Sequence, residues 1–394
     1  MQKKSVFIIA ITLFVLISIG SFIVFGTLNG SIPSAHGIVG NSAEVMQQNA
    51  KPTGTTQAVV DTEPKTQPCP MNGELYSKTQ EAKWLTRRPL GIMIENHVQA
   101  RPQSGISSAD IVYEAVAEGG ITRFLNIFYC QDAPYVGPVR SARIYFIHFL
   151  QEYGDNPLYA HVGGANTPGP ADALGDINTL KWNLYNDLNQ FSVPFPVYWR
   201  DYDRLPNVVT EHTMYSATAK LWDYAAKNRG LTNVDDKGNP WDKNFVKWSF
   251  KDDAALADRG TLNTVSFGFW NLFASDYAVT WHYVKDRNSF VRDNGGVPHL
   301  DKNTGKQLEA KNVVVMFADE SPANDGYQGG HILYKNIGSG DAIVFQDGKA
   351  IKATWSKPTA TDRTEFTDTN GKNIRFVRGK IFIEVLPIGN KVEY

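Results

Sequence analysis

Three short apolar runs set the tightest limits on what this chain can become. Leu90–Glu95 (LGIMIE), Ile111–Ala117 (IVYEAVA) and Ile121–Tyr129 (ITRFLNIFY) are separated by glycine and polar punctuation. Runs of this length and composition read as strands. Gly119-Gly120 between the last two signals a hairpin. Charged residues break the apolar pattern: Glu95 ends the first run, Glu114 interrupts the second, Glu118 lies at the turn and Arg123 begins the return. A buried charge without a partner is costly. With a two-residue loop, Glu118 faces Ile121 and Val116 faces Arg123, so Glu114 becomes a diagonal neighbour of Arg123 on one face. That pair is either a structural ion pair fixing strand register or a carboxylate held in a cleft and tuned by its neighbours.

The 394 residues are 42% hydrophobic and 20% charged, which supports two or three domains and excludes wholesale disorder. Lys plus Arg (39) nearly cancels Asp plus Glu (40), and no basic run occurs, so no nucleic-acid partner is expected. Two cysteines, Cys69 and Cys130, exclude a disulfide-dense scaffold and an all-cysteine zinc site within one chain. Outside the cytoplasm they form either an oxidised pair or two unrelated thiols. A bridge would close a loop of about 60 residues, worth about 4 kcal/mol in the chain-entropy model.

Lys3 and Lys4 precede an uncharged apolar run, Ser5–Gly26. As a helix it would rise about 33 Å, enough for a hydrocarbon core of about 30 Å. Residues 1–26 are therefore expected to be a transmembrane signal-anchor with the lysines cytoplasmic and the rest of the chain outside. A cleaved signal peptide is the rival, with a shorter apolar region as its usual mark. Residues 27–68, rich in Gly, Ser, Thr, Gln and Pro, read as a disordered linker.

Beyond the linker, residues 69–235 read as an α+β domain with helices at Ser141–Tyr153, capped by Ser141, and at about 217–228, capped by Ser216 and stopped by Gly230. Residues 240–390 read as a mostly antiparallel β domain, with Asp347-Gly348 a type I′ hairpin signal. The expected fold class is thus α+β: a membrane helix, an α+β domain, then a β domain.

No P-loop, G-x-S-x-G, H-E-x-x-H or C-x-x-C motif is present, and no two histidines stand at metal-ligand spacing. No cofactor and no metal are expected. The candidate residues are polar groups set among apolar ones. Glu95-Asn96-His97 ends the first strand, with Arg101 and Gln103 after it. Gly137-Pro-Val-Arg140-Ser141-Ala-Arg143 delivers two arginines to a predicted helix start, where arginine opposes the dipole and needs an anionic partner, internal or external. His161-Val-Gly163-Gly164 reads as a strand entering a glycine loop, a ligand cradle or a plain turn. Glu211-His212-Thr-Met-Tyr215 offers an acid–base pair or a hydrogen-bonded structural histidine. Trp281, Tyr283 and Trp355 are either core or a sugar-stacking platform.

RRPLGIMIENHVQARPQSGISSADIVYEAVAEGGITRF, then GPVRSAR, resembles the YerB-like family of bacterial lipoproteins, defined by a domain of unknown function. VTWHYVKDRNSFVR, NVVVMF, GSGDAIVFQDGKAIKATWSKP and FTDTNGKNI resemble its companion C-terminal domain. The resemblance spans roughly residues 70–388 and implies a bacterial extracytoplasmic protein of two tandem domains, without supplying an activity. Two departures stand out. No cysteine for lipid attachment follows the apolar segment. His212-Thr-Met-Tyr215 keeps the outer two residues of the family's His-Asn-Leu-Tyr run and alters the middle.

The expectation is a membrane-anchored envelope protein that binds an anionic ligand, a peptidoglycan component or an envelope protein through Arg101, Arg123, Arg140 and Arg143. The alternative is a wall-glycan hydrolase or lytic enzyme with Glu95, Glu114 or Glu118 as general acid and His97 or His161 assisting. Carboxylates left open in a cleft favour the enzyme, and carboxylates each taken by an arginine favour binding or a purely structural role.

Overall fold

The computed structural model describes residues 62–394. β1 (Leu90–Glu95), β2 (Ile111–Glu118) and β3 (Ile121–Phe128) form on the three apolar runs. Gly119 and Gly120 turn the β2–β3 hairpin at φ +57° and +82°, a region open to glycine. β4 (Leu158–His161) and β5 (Asp187–Asn189) follow. The second half adds β6 (Thr264–Phe267), β7 (Val279–Val284), β8 (Ser289–Asn294), β9 (Asn312–Pro322) and β10 (Ile332–Lys335). β11 (Gly338–Gln346), β12 (Lys349–Lys357), β13 (Glu365–Asp368) and β14 (Ile381–Pro387) follow, with several two-residue strands between and after the named ones. Asp347-Gly348 joins β11 to β12 with both φ positive, as its sequence predicts.

Eleven strands form one sheet, ordered β13-β12-β11-β9-β14-β2-β3-β1-β4-β5, with β10 paired onto β9. β14 lies between β9 and β2 and runs parallel to both. The expected fold class is corrected here. The described chain is mostly β, and strands from both halves share one mixed sheet. The run IFIEVLP is buried along nearly all its length, and a central parallel strand and a hairpin strand read alike when both faces are covered. Residues 1–26, expected as a membrane helix, lie outside the described residues, as does most of the linker. Among the described residues no helix is long and apolar enough to cross a membrane.

The helices are short: α1 (Lys78–Trp84), α2 (Ile144–Leu150), α3 (Ala173–Thr179) and α4 (Thr218–Arg229). α2 packs on one face of the sheet. Its Leu150 side chain fills the space where a Cβ on Gly91 would stand, at 2.7 Å, and its Phe149 stacks on Tyr113 at 4.5 Å. A second sheet containing β6, β7 and β8 covers the other face, with Trp281 against Phe382 at 5.0 Å. Trp281 and Trp355 are buried and belong to the core. Cys69 and Cys130 are disulfide-bonded, with Cα atoms 6.0 Å apart. The bond ties the segment before α1 to the end of β3.

Candidate functional site

Six strands, β1, β2, β4, β5, β9 and β14, run in one direction, so their carboxyl ends share an edge. In open sheets of this kind the crevice beyond the carboxyl ends is the usual ligand position. Glu95, Glu118 and His161 are the last residues of β1, β2 and β4, so the polar residues singled out from sequence collect here.

The GPVRSAR segment lies in this crevice. Arg140 N–H donates to Met93 O (3.0 Å), Val162 N–H to Arg140 O (3.0 Å) and Ala142 N–H to Gly163 O (2.9 Å). The segment is therefore extended, wedged between β1 and the loop after β4. This corrects the expected helix start. α2 begins at Ile144 without a side-chain cap, and Ser141 does not cap it. Ser216 likewise does not cap α4, whose N-cap position is Ala217, because its hydroxyl donates to Val197 O at 2.9 Å. Backbone groups already committed to a ladder are not available to nucleate a helical turn.

Glu95 accepts from His212 Nδ1 at 2.8 Å and stands 3.1 Å from Arg140 Nε. Burial opposes its charge, but the His212 hydrogen bond and the Arg140 and Arg123 charges outweigh that and hold the carboxyl below its usual range. His97 stacks on His212, centroids 4.7 Å apart, and its Nδ1 accepts from Gln99 N–H at 3.2 Å. Burial and the neighbouring His212 push the His97 imidazole pKa down.

A bulge decides the fate of the other two glutamates. Glu118 pairs with Ile121 as expected, but Val116 pairs with Thr122 and Ala115 with Arg123. Ala117 is the extra residue, and one extra residue moves a side chain to the opposite face. Arg123 and Glu114 are therefore on opposite faces, which overturns the expected pair. Arg123 donates to Glu118 at 3.2 Å, and Arg143 pairs with the same carboxylate. Burial raises the Glu118 pKa, but Arg123 and Arg143 together bring it below the usual range.

Glu114 is fully buried against the second sheet and pairs with Arg292 of β8. Arg292 also reaches Glu384 of β14, at 3.4 Å, and His299 Nδ1, at 2.6 Å. Burial, then the Glu114 carboxylate beside it, pushes Glu384 well above the ordinary carboxyl range. Asn96 donates to Glu114 (3.0 Å) and to Thr122 (2.7 Å), and accepts from Asn294 (2.8 Å) and Gln103 (2.9 Å). The donors of Arg101 go to the Asn96 oxygens and to Asp276 O. Asn96, Arg101, Gln103 and Glu114 thus form one internal network. Sequence reasoning missed Arg292, His299, Asn294 and Glu384. Glu384 carries the signal that marked Glu114, a lone acid in an apolar run.

His161 is buried, with Nε2 2.6 Å from Asp187 and Nδ1 2.7 Å from Gly163 O. The Gly163 N–H donates to Asn189 Oδ1 (3.1 Å), and a Cβ on Gly164 would stand 2.9 Å from the Leu174 side chain. Both glycines therefore serve packing and turn geometry. Tyr215 is buried beside Tyr135. What remains open at the edge is Arg140. Its side chain is 26% exposed, and its two terminal nitrogens have no hydrogen-bond partner among the described residues. The half-buried Ser141 hydroxyl beside it is likewise unpartnered.

Residues 76–232 match the family described as "Protein of unknown function (DUF3048) N-terminal domain", and residues 270–383 match its C-terminal domain. The chain is 30% identical over 333 residues to "Putative lipoprotein YerB" of Bacillus subtilis (strain 168), spanning 84% of this chain and 89% of that protein. The fold is similar to the crystal structure of YerB protein from Bacillus subtilis, with a TM-score of 0.65 and 28% identity over 84% of this chain and 100% of that one. The expected family resemblance is borne out: the chain belongs to the family that joins the two DUF3048 domains, as a relative of YerB.

Proposed function

We propose that this chain is an extracytoplasmic protein of the cell envelope that binds a carboxylate or phosphate group of an envelope polymer at Arg140, without cleaving it. The observation that carries this reading is the unequal commitment of the arginines. Arg101, Arg123 and Arg143 are spent on internal acceptors, whereas Arg140 keeps its terminal donors free. A guanidinium with two free N–H groups suits a planar or tetrahedral oxyanion. His97 and His212 border it. The disulfide and the relative's name, a lipoprotein, both fit an oxidising, extracytoplasmic setting.

The carboxylates argue against glycan hydrolysis. A general acid at neutral pH needs a raised pKa, and Glu95 and Glu118 are held low. Glu114 is sealed from any polymer. One arrangement favours a second, catalytic reading. His212 is held by Glu95 through Nδ1, which leaves Nε2 free of partners among the described residues, as in a general base.

The test incubates the full-length chain, Arg140→Ala and His212→Asn with purified peptidoglycan carrying or stripped of its phosphate polymers. Co-sedimentation and release of soluble fragments are both measured. Binding that falls about tenfold or more in folded Arg140→Ala, without release, is the expected result, since a charge-assisted hydrogen bond contributes roughly 1.5–3 kcal/mol. Unchanged binding in Arg140→Ala would remove this ligand site. Release abolished by His212→Asn would make the protein an enzyme.

A further inference from the structure

At the amino ends of β1, β4 and β5, the end of the sheet opposite Arg140, lies a cavity of about 450 Å³. That volume falls within the range of small-molecule sites, roughly 300–1,000 Å³. Gln151, which follows α2, and Trp182, which precedes β5, line it and are each at least nine-tenths buried. Neither the Gln151 amide nor the Trp182 indole N–H has a hydrogen-bond partner among the described residues, and the same holds for the Asn156 amide beside them. These polar atoms open onto the cavity and are available to a ligand, and Arg88 Nη2 on the same wall is buried and unpartnered among the described residues.

The charge of the wall narrows the ligand. Arg88 and Lys243 line the cavity together with Asp155 and Asp235, two cations against two carboxylates. Arg88 is 1% exposed, and its acceptors among the described residues are the backbone carbonyls of Thr232, Asp155 and Asn156, while its Nη2 has none. The carboxylates are held in place: Asn244 donates to Asp155 at 3.1 Å, and Asn239 donates to Asp235 from its backbone at 2.8 Å. A bound anion would meet Asp155 and Asp235, and a bound cation would meet Arg88 and Lys243. An uncharged ligand dense in hydroxyl or amide groups meets no repulsion and can pair with the open amides and the indole N–H.

We propose that this cavity is a saccharide site for one or two uncharged sugar rings, hydroxylated or N-acetylated, held by Gln151, Asn156 and Trp182. It does not rest on the anion reading at Arg140, because the two sites lie at opposite ends of the strands. The test titrates the full-length chain with N,N′-diacetylchitobiose, cellobiose and inorganic phosphate. Binding is followed by calorimetry and by the indole N–H resonance of Trp182, assigned with Trp182→Phe. A saturable shift of that resonance by either sugar, weakened about tenfold in Gln151→Ala, is expected for loss of one buried hydrogen bond. If Gln151→Ala fails to fold, Asn156→Gly replaces it, since residue 156 stands at φ +52° and glycine keeps that backbone. No saturable shift at millimolar sugar overturns the proposal. So does sugar binding that leaves the Trp182 resonance and both variants unaffected, and so does a shift produced by phosphate alone.

Discussion

Glu95 and Asn96 are neighbours in the chain with opposite destinations. On a strand, consecutive side chains point to opposite faces. Glu95 therefore meets Arg140 and His212 on the α2 side, while Asn96 joins Glu114 and Arg292 under the second sheet. Another buried acid sets a pH dependence. Asp110 accepts from Tyr129 N–H (2.7 Å) and Cys130 N–H (2.9 Å) beside the disulfide. Burial pushes its carboxyl up to about 7, although those N–H groups and Lys380 act the other way. In the unfolded chain it titrates near 3.9. The folded protein thus holds an extra proton between about pH 4 and 7, so this group's contribution to stability falls as pH rises through that window. At roughly 1.4 kcal/mol per unit the loss reaches a few kcal/mol. Asp110→Asn keeps an acceptor and removes the titration. Urea midpoints should show the variant gaining on the wild type from pH 4 to pH 7. A difference that does not change across that range would refute the assignment.

Among the elements, the β2 bulge at Ala117 has the largest consequence. It places Arg123 opposite Ala115 and hands it to Glu118, leaving Glu114 to Arg292. Deleting Ala117 would straighten β2 but leave Ala115 opposite Arg123, because the pairings on either side of the bulge are consecutive without it. Uncompensated buried charge costs about 3–5 kcal/mol, so Arg292→Met, which strips the fully buried Glu114 of its partner, is expected to lose about that much in chemical denaturation. Ala117→Gly, which keeps the bulge and removes one buried methyl, should cost only about 1 kcal/mol. Similar losses in Arg292→Met and Ala117→Gly would mean that the Glu114–Arg292 pair is not a buried charge pair of this kind. The extended GPVRSAR segment has the same local importance, because it sets Arg140 beside Glu95.

At the scale of the molecule, β14 makes the two halves depend on each other. It supplies the parallel neighbour of β2, so residues 69–235 alone would leave β2 as a long apolar edge. That fragment is expected to lack a cooperative thermal transition and to aggregate in size-exclusion chromatography, whereas the chain that includes β14 melts cooperatively. A sharp melt of the isolated fragment would show that the first half folds by itself. The strands β1, β2 and β3, the Gly119-Gly120 and Asp347-Gly348 turns and the Gly230 stop were legible in the sequence. Strand alternation and left-handed turn residues are properties of a few adjacent residues. The candidate site was legible in part: the right side chains were marked, but with wrong partners. Glu114 and Arg292 are 178 residues apart, and Glu384 reaches them only because β14 inserts centrally. Residue chemistry by itself determined that these charges need partners, because a charge cannot be buried alone. Which partner each one found was decided by tertiary structure, because one bulge residue and one strand insertion choose the face and the neighbour, and neither leaves a local trace.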